Sequence, residues 1–392
     1  MSEAVRGNEQ MTPRERILAA LDHREPDRVP IDLGSSIVTS CTRAAYEPLR
    51  EYLGLPHEEI VVYDEVQQLP YIGEDVLERF GVDTRMVQLP PTHVKGVEIV
   101  DEGEYLAMWD RWGAKMRMPK EKPLYYDWVE FPIKDMTLEA LEAYQWPEPD
   151  SPELIAGLRE RAEHLRATTD FALVGSGVIG GGIFEQSCRV MGMEPFMMSM
   201  LMAPEFSHKL ADGITDIYIE SVDRYLAQVG ELIDVFTFWD DVATQQGWMI
   251  NPDSYVEVIK PRQKRLFEAI KERTDAKLFY HGCGAVYELI PHLIEIGVDI
   301  VNPVQVNAEG MDSARLKQAY GDDIVFWGGG VDTQKVLPFG TPDEVRDEVK
   351  RRIDDFAPGG GFVFATVHNI QAFVPPENIE AAYDTALTYG AR

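Results

Sequence analysis

Short apolar runs and amphipathic stretches alternate along most of this chain of 392 residues. Eight of the apolar runs are typical of buried strands: residues 29–33, 84–88, 171–175, 233–238, 277–280, 300–304, 324–327 and 362–365. In the second half each run is followed by a helix-compatible segment, which is the alternation of parallel sheets with buried strands. Eight such units predict an α/β fold, a (β/α)8 TIM barrel, in a single domain over residues 1–392.

Two segments depart from this alternation. A helix is predicted after Thr12, a favourable N-cap residue that is followed by Pro13 and by the capping-box acid Glu15. Between residues 95 and 132, short aromatic pieces with alternating polarity predict antiparallel hairpins inserted after an early strand. We interpret this insertion as a decoration of the barrel and not as a second domain.

The charge of the chain narrows the classes of partner. It has 67 Asp and Glu residues against 37 Lys and Arg residues, which gives a net charge of −30 and a pI near 4.6. A protein of this charge repels phosphate backbones and anionic lipid head groups. We therefore expect no binding to nucleic acid and none to membrane surfaces.

The number and spacing of the cysteines, together with the first ten residues, indicate the cellular compartment. Cys41, Cys188 and Cys283 are an odd number, widely spread, and do not form a disulfide framework. The first ten residues lack the pattern of a signal peptide, and no apolar run approaches the roughly 20 residues that a membrane helix needs. We expect reduced thiols and a cytoplasmic location.

The fifth predicted strand closes on the sequence Tyr-His-Gly-Cys-Gly at residues 280–284. In an extended backbone, residues i and i+2 point to the same side, so the side chains of His281 and Cys283 can converge on one metal ion. His368 follows the eighth strand, at the mouth of the barrel where such folds place their chemistry. Two imidazoles, one thiolate and an open fourth position are the pattern of catalytic zinc. The alternative is that His368 binds substrate or supports another ligand, and that Cys283 is a small buried hydrophobe.

Other side chains follow the predicted strands at the same end of the barrel. They are Asp32 after the first strand, Trp239, Asp240 and Asp241 after the fourth, Gln305 after the sixth, and Asn369 and Gln371 after the eighth. Because the carboxyl ends of all barrel strands open at one mouth, we expect these side chains to surround the site.

Six stretches carry a resemblance to a known family: residues 11–32, 239–247, 281–291, 301–305, 327–332 and 368–378. Together they resemble the uroporphyrinogen decarboxylase superfamily, and within it the branch of corrinoid-dependent methyltransferases. That branch includes methylcobamide:coenzyme M methyltransferases and the methyltransferases of anaerobic O-demethylases. The resemblance extends from about residue 11 to the end of the chain. It implies a (β/α)8 barrel, bound Zn²⁺, and a corrinoid (cobalamin) carried by a partner protein.

The chain departs from two kinds of enzyme within this resemblance. The coenzyme M enzymes bind zinc through an H-x-C pair and a late cysteine; the pair matches His281 and Cys283, but His368 stands at the late position. A zinc ion with fewer thiolate ligands is a stronger Lewis acid, which suits an ether or phenolate oxygen better than a thiolate. The decarboxylases have an arginine-rich segment after the first strand, whereas the corresponding residues here, 31–43, include a single arginine, Arg43. Binding a tetrapyrrole with eight carboxylates is therefore disfavoured.

The resemblance implies transfer of a methyl group between a small methylated compound and a corrinoid protein, with a methoxyaromatic ether as the favoured substrate. Zinc would polarise the ether oxygen, and an acid would protonate or ion-pair the leaving phenolate. Asp241, Asp240 and Glu185 are candidates for that acid, and the alternative for each is a solvated or helix-capping carboxylate.

Four further residues are candidates for binding the substrate or the corrinoid: Asn369, Gln371, Trp239 and Gln305. Structural turns would also explain the first two, and burial would explain the tryptophan. Three other functions stay open, namely a decarboxylase acting on a porphyrin, a methylcobamide:thiol methyltransferase, and a non-catalytic barrel that binds a corrinoid protein or a metal. The sequence also leaves a homodimer open.

Overall fold

The computed structural model describes residues 10–88, 98–149, 155–176 and 181–391. The strands are Val62–Asp64 (β1), Leu69–Pro70 (β2), Thr84–Val87 (β3), Val100–Glu102 (β4), Tyr105–Trp109 (β5), Lys115–Pro119 (β6), Asp127–Glu130 (β7), Ala172–Ser176 (β8), Val235–Trp239 (β9), Ala243–Thr244 (β10), Gly247–Trp248 (β11), Lys277–His281 (β12), Ile300–Asn302 (β13), Val325–Trp327 (β14) and Phe362–Val363 (β15). The helices are Pro13–Leu21, Arg43–Tyr52, Glu74–Arg79, Leu138–Ala143, Leu158–Thr168, Ile183–Met191, Met193–Met202, Pro204–Val229, Pro252–Ser254, Lys260–Lys271, Ile290–Glu295, Ser313–Tyr320, Val336–Phe339, Pro342–Phe356 and Pro376–Tyr389, with a π-helical turn at Tyr255–Ile259. In this part of the chain, no helix combines the length and the apolar character that crossing a bilayer requires.

Seven of the strands form one parallel sheet. Their order is β15-β14-β13-β12-β9-β8-β3, so strands that follow each other along the chain are neighbours in the sheet. Tyr280 on β12, for example, pairs with Phe238 on β9 and with Val301 on β13. Every residue of β9 is buried, because helices cover one face of the sheet and the barrel interior covers the other. The seven strands match predicted ones, with ends shifted by at most two residues.

The predicted first strand closes the sheet into a barrel. It is not a regular strand, but its backbone bonds to both edges of the sheet. Asp32 N–H donates to Phe364 O, Phe364 N–H donates to Pro30 O, and Asp83 N–H donates to Ile31 O, each at 2.8 Å. The fold is therefore the predicted α/β, TIM-like barrel.

The N-terminal helix, Pro13–Leu21, covers the amino end of the barrel. The capping box predicted at its start is present. Arg14 N–H donates to Asp170 O ahead of β8, and Gly361 N–H, ahead of β15, donates to Ala20 O. Since the helix blocks this end, the opposite end of the barrel, at the carboxyl ends of the strands, is the open one.

The inserted region is a four-stranded antiparallel sheet in the order β4-β5-β6-β7. Tyr126 N–H, at the end of the loop before β7, donates to Val66 O at 2.9 Å and ties this sheet to the turn between β1 and β2. The predicted hairpin region is therefore present, although residues 95–97 of it lie outside the described residues. That the whole chain is a single domain stays a prediction.

Candidate metal centre and active site

Two imidazoles and one thiol converge at the mouth of the barrel. His281 is the last residue of β12, Cys283 follows two residues later, and His368 lies after β15. One ligand atom from each of the three lies within 4.8 Å of the other two. Nε2 of His281 is 3.4 Å from Sγ of Cys283, and the centroids of the two imidazole rings are 5.1 Å apart. This set of donors fits one zinc ion and leaves a coordination position for another molecule.

Asn302, at the end of the neighbouring strand β13, orients His281. Its Nδ2 donates to the backbone carbonyl of Trp327 at 2.7 Å, and its Oδ1 forms a short hydrogen bond with Nδ1 of His281. A carbonyl oxygen can only accept, so Nδ2 must face Trp327 and Oδ1 must face the ring. Nδ1 of His281 therefore carries the proton, and Nε2 faces Cys283 with its lone pair available to a metal.

His368 is held differently. Its backbone is in the left-handed region, with φ +75°, and its Nδ1 accepts the N–H of Asn369 at 2.7 Å. In a neutral ring the proton then sits on Nε2. Binding a metal through Nε2 requires that this proton moves to Nδ1, which could then no longer accept the Asn369 N–H, and binding through Nδ1 displaces that N–H directly. His281 is thus oriented for a metal, whereas His368 must give up its hydrogen bond with Asn369 when the metal binds.

Burial controls the protonation of the three donors. It lowers the pKa of His281 to about 4 and that of His368 to about 3, so both rings are neutral at pH 7. Burial, with the nearby carboxylates of Asp241 and Glu185, raises the pKa of the Cys283 thiol well above its usual range. A cation bound at this position would reverse that effect, because it favours the thiolate.

A cavity of 520 Å³ opens beside the two histidines. Among the described residues, its charged lining side chains are those of Asp64, Asp127, Glu185, Asp241 and Arg189. Its aromatic lining side chains, apart from the histidines, are those of Tyr125, Tyr126, Trp128 and Trp239. Nη2 of Arg189 lies 3.6 Å from Oε2 of Glu185, and its guanidinium lies 4.4 Å from the centroid of the Trp128 ring. The cavity is therefore acidic and aromatic, with one arginine.

Two of the predicted acids, Glu185 and Asp241, line this cavity. Burial raises the pKa of both carboxyls, and the negative charge of Asp241 raises that of Glu185 further. Oδ1 of Asp241 accepts the backbone N–H of Cys283 at 2.7 Å, which places this carboxylate next to the metal donors. Since two half-buried carboxylates that line one cavity repel each other, the pair favours a state that keeps one proton.

The third predicted acid, Asp240, lines neither this cavity nor the second one, which adjoins Cys283. Its carboxylate accepts the N–H groups of Phe184 at 3.1 Å and Glu185 at 3.0 Å, and Nε2 of Gln263 at 2.9 Å. It is fully buried, and burial raises its pKa to about 7. Asp240 thus caps the helix Ile183–Met191, and this placement argues against a role in proton transfer to substrate.

A second cavity of 360 Å³ also adjoins the metal donors, since Cys283 and His368 line it. Gln305 lines it, and its Oε1 accepts the N–H of Gly284 at 2.7 Å. Gln371 is exposed and lines both cavities, whereas Trp239 lines only the first. The predicted binding residues are therefore distributed between two separate spaces.

Asn369 lines the second cavity, but its side-chain amide is bound by the protein itself. Its Oδ1 accepts Ser40 N–H at 2.7 Å, and its Nδ2 donates to Ile37 O at 2.8 Å and to Oε1 of Gln67 at 3.1 Å. The amide thus connects the loop after β15 to the loop after the first strand. These contacts agree with a structural role for Asn369, which was the alternative to binding the substrate or the corrinoid.

Sequence reasoning missed several residues of the site. Asn302, Asp64 and Trp128 come from separate parts of the chain, and the sequence carried no signal that would have joined them to His281. Arg189 could have been predicted from the sequence, because it follows Glu185 by four residues on one helix, which is the spacing of a helical ion pair.

The fold and the site define a barrel enzyme with metal-binding donors at its mouth. A sequence profile of the Uroporphyrinogen decarboxylase (URO-D) family matches residues 107–389, and the chain belongs to this family. Two similar proteins are both named uroporphyrinogen decarboxylase. The one from Psychromonas ingrahamii is 25% identical over 190 residues, which cover 47% of this chain and 50% of that protein. The one from Syntrophotalea carbinolica is 26% identical over 260 residues, which cover 64% and 68%. The match thus spans about half the length of the first relative.

A solved structure has the same fold. It is a methyltransferase from Methanosarcina mazei, with a TM-score of 0.64 and 20% sequence identity, and the match covers 97% of this chain and 99% of that one. At this identity the likeness bears on the fold, and the chemistry has to be argued from the site itself.

Proposed function

We propose that the protein is a methyltransferase that moves a methyl group between a small methylated substrate and a corrinoid protein, with zinc as a Lewis acid. The favoured substrate is a methoxyaromatic ether, which the enzyme demethylates. The observation that carries the proposal is the pair of half-buried acids, Glu185 and Asp241, in an aromatic cavity directly beside His281, Cys283 and His368.

His281, Cys283 and His368 would hold the zinc ion. When bound, zinc supplies a Lewis acid for the ether oxygen and the reduced corrinoid supplies the electron pair that takes the methyl group, so the O–CH3 bond breaks and its electrons stay on oxygen. With two neutral imidazoles and one thiolate, the site withdraws more electron density from an oxygen ligand than a site with additional thiolates would. This feature favours an oxygen substrate over the thiol of the alternative methylcobamide:thiol reaction.

Glu185 and Asp241 would hold the proton that the leaving oxygen needs. Their pKa values are raised by burial, so one carboxyl of the pair retains a proton at a pH where an exposed carboxyl has lost it. An acid with a pKa near the working pH is an efficient proton donor to a phenolate. Arg189, 3.6 Å from Glu185, would stabilise the carboxylate that remains after transfer.

The shape of the cavity suits one aromatic ring. A volume of 520 Å³ falls in the range of sites for small molecules, and the aromatic side chains of Tyr126, Trp128 and Trp239 line it. The same cavity argues against uroporphyrinogen, whose eight carboxylates need several cations. Arg189 is the one Lys or Arg among its lining residues in the described part of the chain, and Arg43 lies outside the cavity, where its exposed side chain pairs with Glu47.

The proposal is tested by metal analysis together with an activity assay. The purified protein is analysed for zinc and then incubated with 2-methoxyphenol and cob(I)alamin, while methylcobalamin and catechol, the two products, are measured. We expect stoichiometric zinc and demethylation in the native protein, and loss of both in Cys283→Ala. Cys41→Ala, which removes a buried cysteine outside the metal donors, should keep both. Release of carbon dioxide from uroporphyrinogen, or full demethylation by a zinc-free Cys283→Ala variant, would overturn the proposal.

A further inference from the structure

The two cavities that flank the metal donors differ in charge. The first is lined by carboxylates and an arginine, whereas none of the described residues that line the second is charged. Five of the residues around the second cavity carry a side-chain carboxamide: Gln245, Gln305, Gln334, Asn369 and Gln371. Such a lining selects a ligand that is uncharged and can both donate and accept hydrogen bonds.

Four of these amides keep hydrogen-bonding groups that no described residue uses. Nε2 of Gln305 has no partner among the described residues, where only its Oε1 forms a hydrogen bond. Gln334 accepts Nδ2 of Asn307 at 2.8 Å and leaves its own Nε2 unused. Gln371 donates to Asn369 O at 3.2 Å and leaves its Oε1 unused, and the side chain of Gln245 makes no hydrogen bond within the described residues. The cavity therefore offers at least three donors and two acceptors without any net charge.

We propose that this second cavity receives amide side chains from one edge of the corrin ring, an inference that rests on the proposed function in taking a corrinoid as the methyl partner. The periphery of a corrin carries primary carboxamides, which match glutamine amides donor to acceptor and acceptor to donor. Porphyrinogens differ in carrying carboxylates, for which this cavity has no cation. A volume of 360 Å³ holds several amide side chains but not the whole macrocycle, so the remainder of the ring stays with its carrier protein.

The position of the cavity agrees with this assignment. His281 lines only the first cavity and Cys283 only the second, while His368 lines both, so a substrate in the first cavity and a corrin edge in the second would both adjoin the metal donors. The two reactants would then approach the same metal from separate spaces, and neither would have to pass through the other's cavity. The charge difference keeps them apart, because the acidic cavity does not suit the amide edge and the amide cavity offers no proton to a leaving group.

Binding of free methylcobalamin, measured by calorimetry in the dark and without methyl substrate, tests the inference. Gln245 and Gln334 are exposed, so Gln245→Leu and Gln334→Leu should fold normally while each removes one amide from the cavity. We expect the Kd to rise about fivefold for each variant and more for the pair. Gln246→Leu is the matched control, since Gln246 is exposed in the same turn but does not line the cavity, and its Kd should equal that of the native protein.

Cobyrinic acid, in which the corrin amides are replaced by carboxylates, is the second probe. At high salt, where long-range repulsion is screened, it should still fail to compete with methylcobalamin. A Kd that is unchanged in the double variant, equal loss in Gln246→Leu, no binding of methylcobalamin, or competition by cobyrinic acid would each overturn the inference. The assay is independent of catalysis. Amide-dependent binding without any demethylation would refute the proposed function alone, and demethylation with amide-independent binding would refute the corrin site alone.

Discussion

Replacing Asn302 by leucine should weaken zinc binding without touching a metal ligand. Leucine has the same number and branching of side-chain heavy atoms as asparagine but offers no hydrogen bond, so the variant loses the contact to Nδ1 of His281 and the one to Trp327 O. The imidazole is then free to rotate or to change tautomer, so nothing keeps the lone pair of its Nε2 directed towards Cys283.

The expected size follows from these two contacts. Loss of a residue that orients a metal-binding histidine reduces metal affinity by about 10- to 100-fold, which corresponds to about 1.4–2.8 kcal/mol. Leaving the buried carbonyl of Trp327 without a donor should lower the free energy of unfolding of the metal-free protein by about 1–3 kcal/mol. The zinc Kd is measured by competition with a chromophoric chelator, and the stability is measured by urea denaturation.

Asn378→Leu provides the control for a purely structural effect. Asn378 is equally buried, and its Nδ2 donates to the backbone carbonyls of Leu337 at 2.9 Å and Gly340 at 2.8 Å, but it contacts no metal donor. This variant should lose stability and keep the native zinc affinity. A zinc Kd for Asn302→Leu that equals the native value, or that rises no more than in Asn378→Leu, would refute the orientation of His281 described above.

Three further predictions follow from the same site. Asp241→Asn removes a negative charge beside Cys283 and so lowers the thiol pKa; in the metal-free protein at pH 8, alkylation of Cys283 by iodoacetamide should be faster than in the native protein, and an equal or slower rate would contradict the effect. Glu185→Gln should slow demethylation by about 100-fold or more, with the smallest loss for nitro-substituted phenols, which leave without a proton; equal losses for all phenols would exclude the acid role. Gly182→Ala would place a Cβ 2.0 Å from Cγ of Asp240, so the urea midpoint should fall by the equivalent of about 1–3 kcal/mol, and an unchanged midpoint would show that this contact relaxes freely.

The sequence alone determined what depends on local order along the chain. The capping box at Thr12 and seven of the eight apolar runs predicted real elements, because helix capping and strand burial act over a few neighbouring residues. The side chains of His281 and Cys283 could be predicted to face the same way, since alternation in an extended backbone is a property of the backbone itself. Placing them at the barrel mouth needed only the rule that barrel chemistry sits at the carboxyl ends of the strands.

Only the tertiary structure decided which groups remain available for chemistry. Asp240 and Asp241 are adjacent in the sequence and were equal candidates, but in the turn after β9 one of them caps a helix and the other lines a cavity. Asn302 meets His281 through the register of two strands 21 residues apart, a pairing that no local pattern records. The division of the mouth into an acidic and an amide-lined cavity depends on loops from many strands. In a closed barrel, such non-local contacts decide which charged and hydrogen-bonding groups face a cavity. The order of residues along the chain could therefore not predict them.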